Sequence, residues 1–176
     1  TIVNILPTLQ ADAKAIDQNL YNSISANDVR KTQFYPGGGY YKLMPWKKFY
    51  NDGRVIGGQR TVTDDYLYMR VDEMYLLSAE MSAKEGIPVD ARNRLKDLLA
   101  ERFEDSADYA YIDGLSGPSL IDEVYLQTRI ELWGEGKSYL AMKRNKATIN
   151  RGSNHLSNVG VAVPYNDNRL TWEIPQ

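Results

Sequence analysis

A three-residue break, Gly86-Ile87-Pro88, separates two stretches of helical period and constrains this fold more than any other feature. On its N-terminal side Tyr68, Val71, Tyr75, Ser78 and Ser82 recur at steps of three and four, with Met74, Leu77 and Met81 widening the line. Asp64 and Asp65 suit the positive end of that helix, and Gly86 suits the left-handed residue that closes it. On the other side Pro88 or Asp90 opens a second helix reaching about Phe103, with Ala91, Leu95, Leu98 and Leu99 as its buried face. A connection this short forces the chain back on itself, so the two helices must form an antiparallel hairpin.

The same reasoning organises the rest of the chain. Residues 7–25 read as a helix through Leu9, Ala13, Ile16, Leu20 and Ile24. Ser119-Leu120-Ile121-Asp122 resembles a capping box that starts a third long helix. That helix runs to Trp133 or Glu135 and buries Leu120, Val124, Gln127 or Thr128, Ile130 and Leu132. Gly134 and Gly136 end or kink it, so that a shorter helix can turn back closely. The spacing predicts helices near 8–25, 66–86, 89–103, 119–134 and 137–144 and little sheet. This is a mostly α fold of helical hairpins with long irregular loops, and Ala79, Ala83 and Ala91 suggest tetratricopeptide-like packing at the crossings. Two helix pairs fall short of the three that an independent solenoid needs. The closing residues 170–176 are apolar at alternate positions and read as a short extended segment.

Composition narrows the chemistry. The 176 residues, 43% apolar and 25% charged, suit a single globular domain whose core needs neither disulfide nor metal. There is no cysteine and one histidine, His155, which removes thiol nucleophiles, iron–sulfur and zinc-finger sites, and multi-histidine metal centres. No cofactor is expected, and no run of 18 apolar residues is available to span a membrane as a helix. A net charge of −2 and a pI near 5.5 argue against nucleic acid as a partner. The charge is nonetheless segregated. Residues 29–60 hold Arg30, Lys31, Lys42, Lys47, Lys48, Arg54 and Arg60 against Asp52 alone, whereas residues 61–135 are strongly acidic. Pairing between these segments within the fold is the expected outcome.

Catalytic signatures are missing. Gly37-Gly38-Gly39 lacks the lysine and serine of a phosphate-binding loop, and Gly114-Leu115-Ser116-Gly117 has the wrong spacing for a nucleophile elbow. Glycosidases need two carboxylates, and Glu131 and Glu135 lie four apart on one helix. The simpler reading is that each meets a cation, such as Arg129, Lys137 or Arg144, and locks a helix junction. Asp72 and Glu73 read as dipole partners at the start of their helix. His155 lies in a polar stretch and reads as solvent-exposed. The remaining candidate is the aromatic run Phe34, Tyr35, Tyr40, Tyr41, Trp46, Phe49 and Tyr50, in a chain with 13 Tyr and only three Phe. Flat rings match the apolar C–H faces of sugars, and Gln33, Lys42, Lys47, Asn51 and Arg54 provide hydrogen-bond donors beside them. The competing reading is that these rings only anchor their loop.

Four stretches together resemble a known family. They are Leu20-Tyr21 through Asn27-Asp28-Val29-Arg30, Tyr66 through Glu80 around Arg70, Thr128-Arg129-Ile130-Glu131-Leu132-Trp133-Gly134-Glu135-Gly136 through Arg144, and Trp172-Glu173-Ile174-Pro175. In this order the chain resembles the SusD/RagB family of nutrient-binding outer-membrane lipoproteins. Gln127, Ser138 and Ala141 depart from the family's usual residues. The resemblance implies a single domain spanning 1–176 and equivalent to the C-terminal portion of such a protein, with the N-terminal helical repeats and lipobox lying outside it. It implies capture of an oligosaccharide or other nutrient at the cell surface without bond cleavage, for import through a SusC-like TonB-dependent transporter. The outer membrane would be met only through the lipid anchor of the full-length protein. Tyr40, Tyr41 and Trp46, with Tyr35 and Tyr50, are the expected ligand-binding residues, and no catalytic or metal-ligating residue is expected. A helical-repeat adaptor for a peptide partner and a glycoside hydrolase are the alternatives.

Overall fold

The computed structural model describes residues 14–50, 53, 55–56, 68–155 and 157–170. The described chain is mostly helical. Its α-helices are α1 (Gln18–Ser23), α2 (Val71–Lys84), α3 (Pro88–Leu99), α4 (Gly117–Glu131) and α5 (Ser138–Arg144). Short 3-10 turns at Val29–Gln33, Gly39–Tyr41, Ser106–Gly114 and Asn168–Leu170 join them. The only strands among the described residues are β1 (Ile149–Asn150) and β2 (Ala162–Val163), antiparallel with Ile149 opposite Val163.

The α2–α3 hairpin forms as its connection demands. Gly86 takes φ 75°, its N–H donates to the Ala83 carbonyl, and the Ile87 N–H donates to the Ser82 carbonyl at 2.8 Å. This double closure satisfies the last free carbonyls of α2 before Pro88 opens α3. α4 packs on both helices, and Leu76, Ala79, Ala83, Ala91, Leu95, Leu98, Leu99, Leu120 and Val124 form one core between them. The alanines let the helices approach closely where they cross.

Two expectations need correction here. The buried face of α2 is Leu76, Ala79, Glu80 and Ala83, whereas Val71, Met74 and Met81 are exposed. Counting large apolar residues picked the wrong stripe, because this helix buries small ones at its crossing points. The capping box also forms one turn earlier. The Ser116 N–H donates to Ser119 Oγ, and that hydroxyl donates back to the Ser116 carbonyl, so α4 begins at Gly117 with Pro118 in its first turn. The buried faces of α3 and α4 are as the spacing predicts.

The first helix is shorter than its periodicity suggests. Asp17 accepts from the N–H groups of Asn19 and Leu20 and so starts α1 at Gln18, after extended backbone in which the Ile16 N–H donates to the Leu43 carbonyl. The part of that predicted helix before residue 14, the start of the 66–86 helix and the closing segment beyond residue 170 lie outside the described residues. A second core collects Ile16, Leu20, Ile24, Phe34, Leu43 and Ile130, flanked by Trp133. The Ile130 and Leu132 side chains of one helix end thus enter different cores.

The two faces of α2 give a direct test by thermal or urea denaturation. Leu76→Ala, at 2% exposure, is expected to cost about 2–5 kcal/mol, whereas Met81→Ala, at 53%, should stay within about 0.5 kcal/mol of the parent. Equal losses would show that α2 packs the other way round.

Candidate functional site

Residues 34–46 form an irregular hairpin. The Tyr35 N–H donates to the Met44 carbonyl and the Leu43 N–H to the Tyr35 carbonyl, both at 2.9 Å, while the Trp46 and Lys47 N–H groups share the Gln33 carbonyl. The backbone is extended at Phe34, which sends this side chain and that of Tyr35 to opposite sides. Phe34, Leu43 and Met44 are buried, whereas Tyr35 and Trp46 are half-exposed on the outside. The outer pair meets edge to face with centroids 5.6 Å apart, a favoured aromatic geometry. Gly37 passes beneath the Tyr35 ring so closely that a Cβ there would lie 2.5 Å from it, so a larger residue would have to push the ring aside. At the tip, Tyr40 is 58% exposed and meets Tyr41 edge to face at 5.2 Å.

The hairpin is held in an unusual shape. Leu43 and Phe49 both adopt left-handed backbone, with φ 62° and 69°, a conformation that costs an ordinary side chain energy and persists only where the surroundings enforce it. The enforcing contacts come from the junction after α4. The Phe34 ring packs edge-on against Trp133 at 5.0 Å. The Phe49 ring rests on Gly134, where a Cβ would intrude to 2.8 Å. Between them Lys48 donates to the Glu131 carbonyl at 2.6 Å and pairs with the Glu135 carboxylate at 3.0 Å. Burial pushes the Lys48 ammonium down, and Glu135 opposes that.

Glu131 is the centre of a larger buried network. Its carboxylate accepts from Arg30 at 3.1 Å, from Arg70 at 2.9 Å, and from Arg102 at 3.0 Å through each oxygen. Arg30 is 1% exposed and is completed by Asp28 and by Gln127 Oε1, each at 2.6 Å. Asp28 also caps the turn at Val29–Gln33 by accepting from the Arg30 N–H. Arg70 reaches Glu135 and Asp72 as well, and Arg102 also pairs with Asp72. Burial alone would raise the Glu131 carboxyl, but hydrogen bonds and charge from Arg102, with Arg30 and Arg70, hold it at about 2. Such a group cannot serve as a general acid near neutrality, which needs a raised carboxyl. The partners expected for Glu131 and Glu135 were therefore the wrong ones: Arg144 pairs with Glu80, Lys137 with Glu73, and Arg129 lies 5.8 Å over the Tyr125 ring.

Two further features lie outside this network. His155 is only partly exposed, and its Nε2 lies 2.9 Å from Asp17 Oδ2, which also accepts from the Gly152 N–H. The pair fastens residues 152–155 over the start of α1. A cleft of about 750 Å³ opens between residues 26–32 and 100–108, bordered by Asn27, Arg102, Phe103 and the acids Glu104, Asp105 and Asp108. Asn27 already donates to Asp108 there. Among the described residues no group of three His, Asp or Glu side chains is arranged to hold a metal ion, and no helix is long and apolar enough to cross a membrane.

Comparison with known proteins then settles the lineage. The model of the SusD family matches residues 9–175. The chain belongs to the SusD family. Its fold is similar to that of a SusD superfamily protein from Bacteroides fragilis, with a TM-score of 0.65 and 26% identity over 90% of this chain and 33% of that one. It is also similar to a SusD-like carbohydrate binding protein from Bacteroides vulgatus, with a TM-score of 0.54 and 26% identity over 78% of this chain and 29% of that one. The chain therefore spans about a third of the length of these solved relatives. No curated protein matches it.

In this SusD-family chain the stretches that carried the resemblance have physical roles. Asp28 and Arg30 of the first join Arg70 of the second and Glu131 of the third in one charge network, and Trp133, Gly134 and Glu135 dock the aromatic hairpin. The five sequence-predicted residues fall into groups. Tyr35 pairs with Trp46 at the base, Tyr40 with Tyr41 at the tip, and Tyr50 is half-buried beyond them. Lys48 and Arg102 were missed as parts of the site's support, since only tertiary contact distinguishes them from surface cations.

The folded Glu131 carboxyl lies below its ordinary 4.5, so its contribution is whole above about pH 4.5 and is lost as pH falls toward 2. Glu80 is also held low: burial would raise it, but Arg144 and Lys84 prevail, and it adds to the same acid limb. Glu131→Gln removes the carboxylate shared by the buried Arg30 and the partly buried Arg70 and Arg102, and is expected to cost about 3–5 kcal/mol at pH 7. The variant should also lose part of the acid dependence. Urea titrations at pH 7, 4 and 3 measure both, and parallel curves for parent and variant would contradict the assignment.

Proposed function

We propose that this chain is the glycan-binding C-terminal portion of a cell-surface nutrient-capture protein, and that it binds without cleaving. The full-length protein would be lipid-anchored in the outer membrane and would pass its ligand to a SusC-like TonB-dependent transporter. Family membership supports this reading, as does the carbohydrate-binding description of the Bacteroides vulgatus relative. The observation that carries it is the hairpin at residues 34–46. Its apolar side is fixed in a core while Tyr35, Tyr40, Tyr41 and Trp46 stand outward on a backbone held in shape. A rigid row of rings removes little conformational freedom on binding, so more of the stacking energy appears as affinity. The hydrolase alternative is disfavoured because Glu131 is buried among three arginines and stays ionised.

Within this surface Tyr40, Tyr41 and Trp46 are the contacting rings, and Tyr35 and Tyr50 contribute less. Stacking a sugar face over about 60 Å² of ring contributes roughly 1.5 kcal/mol, about tenfold in affinity. Calorimetric titration of the full chain with oligosaccharides found by glycan array tests the assignment. Tyr40→Ala is expected to weaken binding about tenfold with an unchanged melting temperature. Tyr35→Ala empties the space over Gly37 and should lower both affinity and melting temperature. Unchanged affinity in Tyr40→Ala would remove this surface from consideration.

A further inference from the structure

The cations around the hairpin are sorted by their partners. Arg30 is enclosed by Asp28, Gln127 and Glu131, and Lys48 is enclosed by Glu135 and the Glu131 carbonyl. Lys31 donates to the Ile24 carbonyl and lies over the Tyr21 ring. Lys42 and Lys47 are different. Both are exposed, both belong to the ring-bearing segment, and neither meets a carboxylate among the described residues. Among the described residues, these two exposed lysines beside the outward rings thus have no carboxylate partner.

The placement of Lys47 sharpens this. Its ammonium lies 5.7 Å from the centroid of the Trp46 ring, in cation–π range. A neutral sugar stacking on Trp46 gains the ring but has nothing to offer that ammonium beyond what water offers. A sugar bearing an acidic group at its edge can use ring and ammonium together, because the apolar face and the charge lie on one residue. Lys42 follows Tyr40 and Tyr41 in sequence, ending the turn at the tip, and is exposed there.

We infer that the ligand of this hairpin is an acidic oligosaccharide carrying carboxylate or sulfate groups, met by Lys42 and Lys47 while its sugar faces stack on the neighbouring rings. The inference rests on the glycan-binding reading above and adds the chemical class of the glycan. Both lysines are exposed, so each contact contributes modestly and is screened by salt.

The test is titration of the full chain with three hexasaccharides: hexagalacturonate with carboxylates alone, neocarrahexaose with sulfates alone, and maltohexaose with neither. One or both acidic ligands are expected to bind more tightly than maltohexaose, and the stronger of the two identifies the acidic group. That binding should weaken from 50 to 500 mM NaCl. Lys42→Gln and Lys47→Gln should each weaken it roughly threefold to fivefold. Three results overturn the inference. Maltohexaose binding at least as tightly, with loss in Tyr40→Ala, overturns it while leaving the glycan-binding reading intact. Acidic ligands that bind independently of salt and of both lysines do the same. If no hexasaccharide loses affinity in Tyr40→Ala, the glycan-binding surface falls, and the inference falls with it.

Discussion

The Glu131 carboxylate is the point on which this structure turns. The residue before it, Ile130, enters the core beneath the aromatic hairpin, and the residue after it, Leu132, enters the core of the helical hairpin. Between the two cores its carboxylate collects guanidinium groups from three separate stretches, at residues 30, 70 and 102. Removing these ions from water costs several kcal/mol each, and their mutual attraction offsets that only with close geometry and saturated hydrogen bonding. Arg30, Arg70, Arg102 and Lys48 balance Asp28, Asp72, Glu131 and Glu135 in number. Compared with an apolar filling of the same volume, such a cluster adds little stability. It does penalise every misalignment of the stretches that feed it, because any shift strands a buried charge.

That penalty reaches the ring-bearing surface through backbone as well as side chain. Lys48 takes both the Glu131 carbonyl and the Glu135 carboxylate, and Phe49 beside it lies on Gly134. Gly134 meets two demands at once, a φ of 78° and the absence of a Cβ under that ring. The left-handed backbone at Leu43 and Phe49 is tolerable because these contacts leave the hairpin no alternative. Charge segregation along the chain is thus resolved as expected for Arg30 and Lys48, which pair with acids of α4 and the turn after it.

Much of the helical scaffold was legible in the sequence. Pro88 and Gly86 mark their boundaries by backbone chemistry, and the period of α3 and α4 names the residues they bury. The misreading of α2 has a definite cause. Its core stripe is made of Leu76, Ala79 and Ala83, and hydrophobicity alone ranks alanine below the exposed Val71, Met74 and Met81. The start of α1 was missed because Asp17 is recruited as a cap, and no apolar pattern encodes that. The aromatic run was visible as composition. Its division into inward Phe34 and outward Tyr35 and Trp46 was not, since three glycines interrupt the segment before Tyr40 and it has no sustained period. The network around Glu131 was least legible: an arginine bound for the interior carries the same letter as one bound for solvent.

The two sides of the hairpin answer to different physics, and that separation has a consequence for specificity. Phe34, Leu43 and Met44 are buried, so changing them opens cavities or forces rotamers, and the cost spreads through the second core to Ile130 and Trp133. Tyr40, Lys42 and Lys47 stand in solvent, where substitution changes the fold's free energy by only about 0.5 kcal/mol. Trp46 and Tyr35 lie between these extremes, half-exposed and in contact with each other, so their substitutions should not be independent. Under the proposed binding role, the tip and its lysines could be altered to change ligand preference while the docking contacts at residues 131–135 stay as they are. Rigidity and adaptability then reside in adjacent residues of one segment.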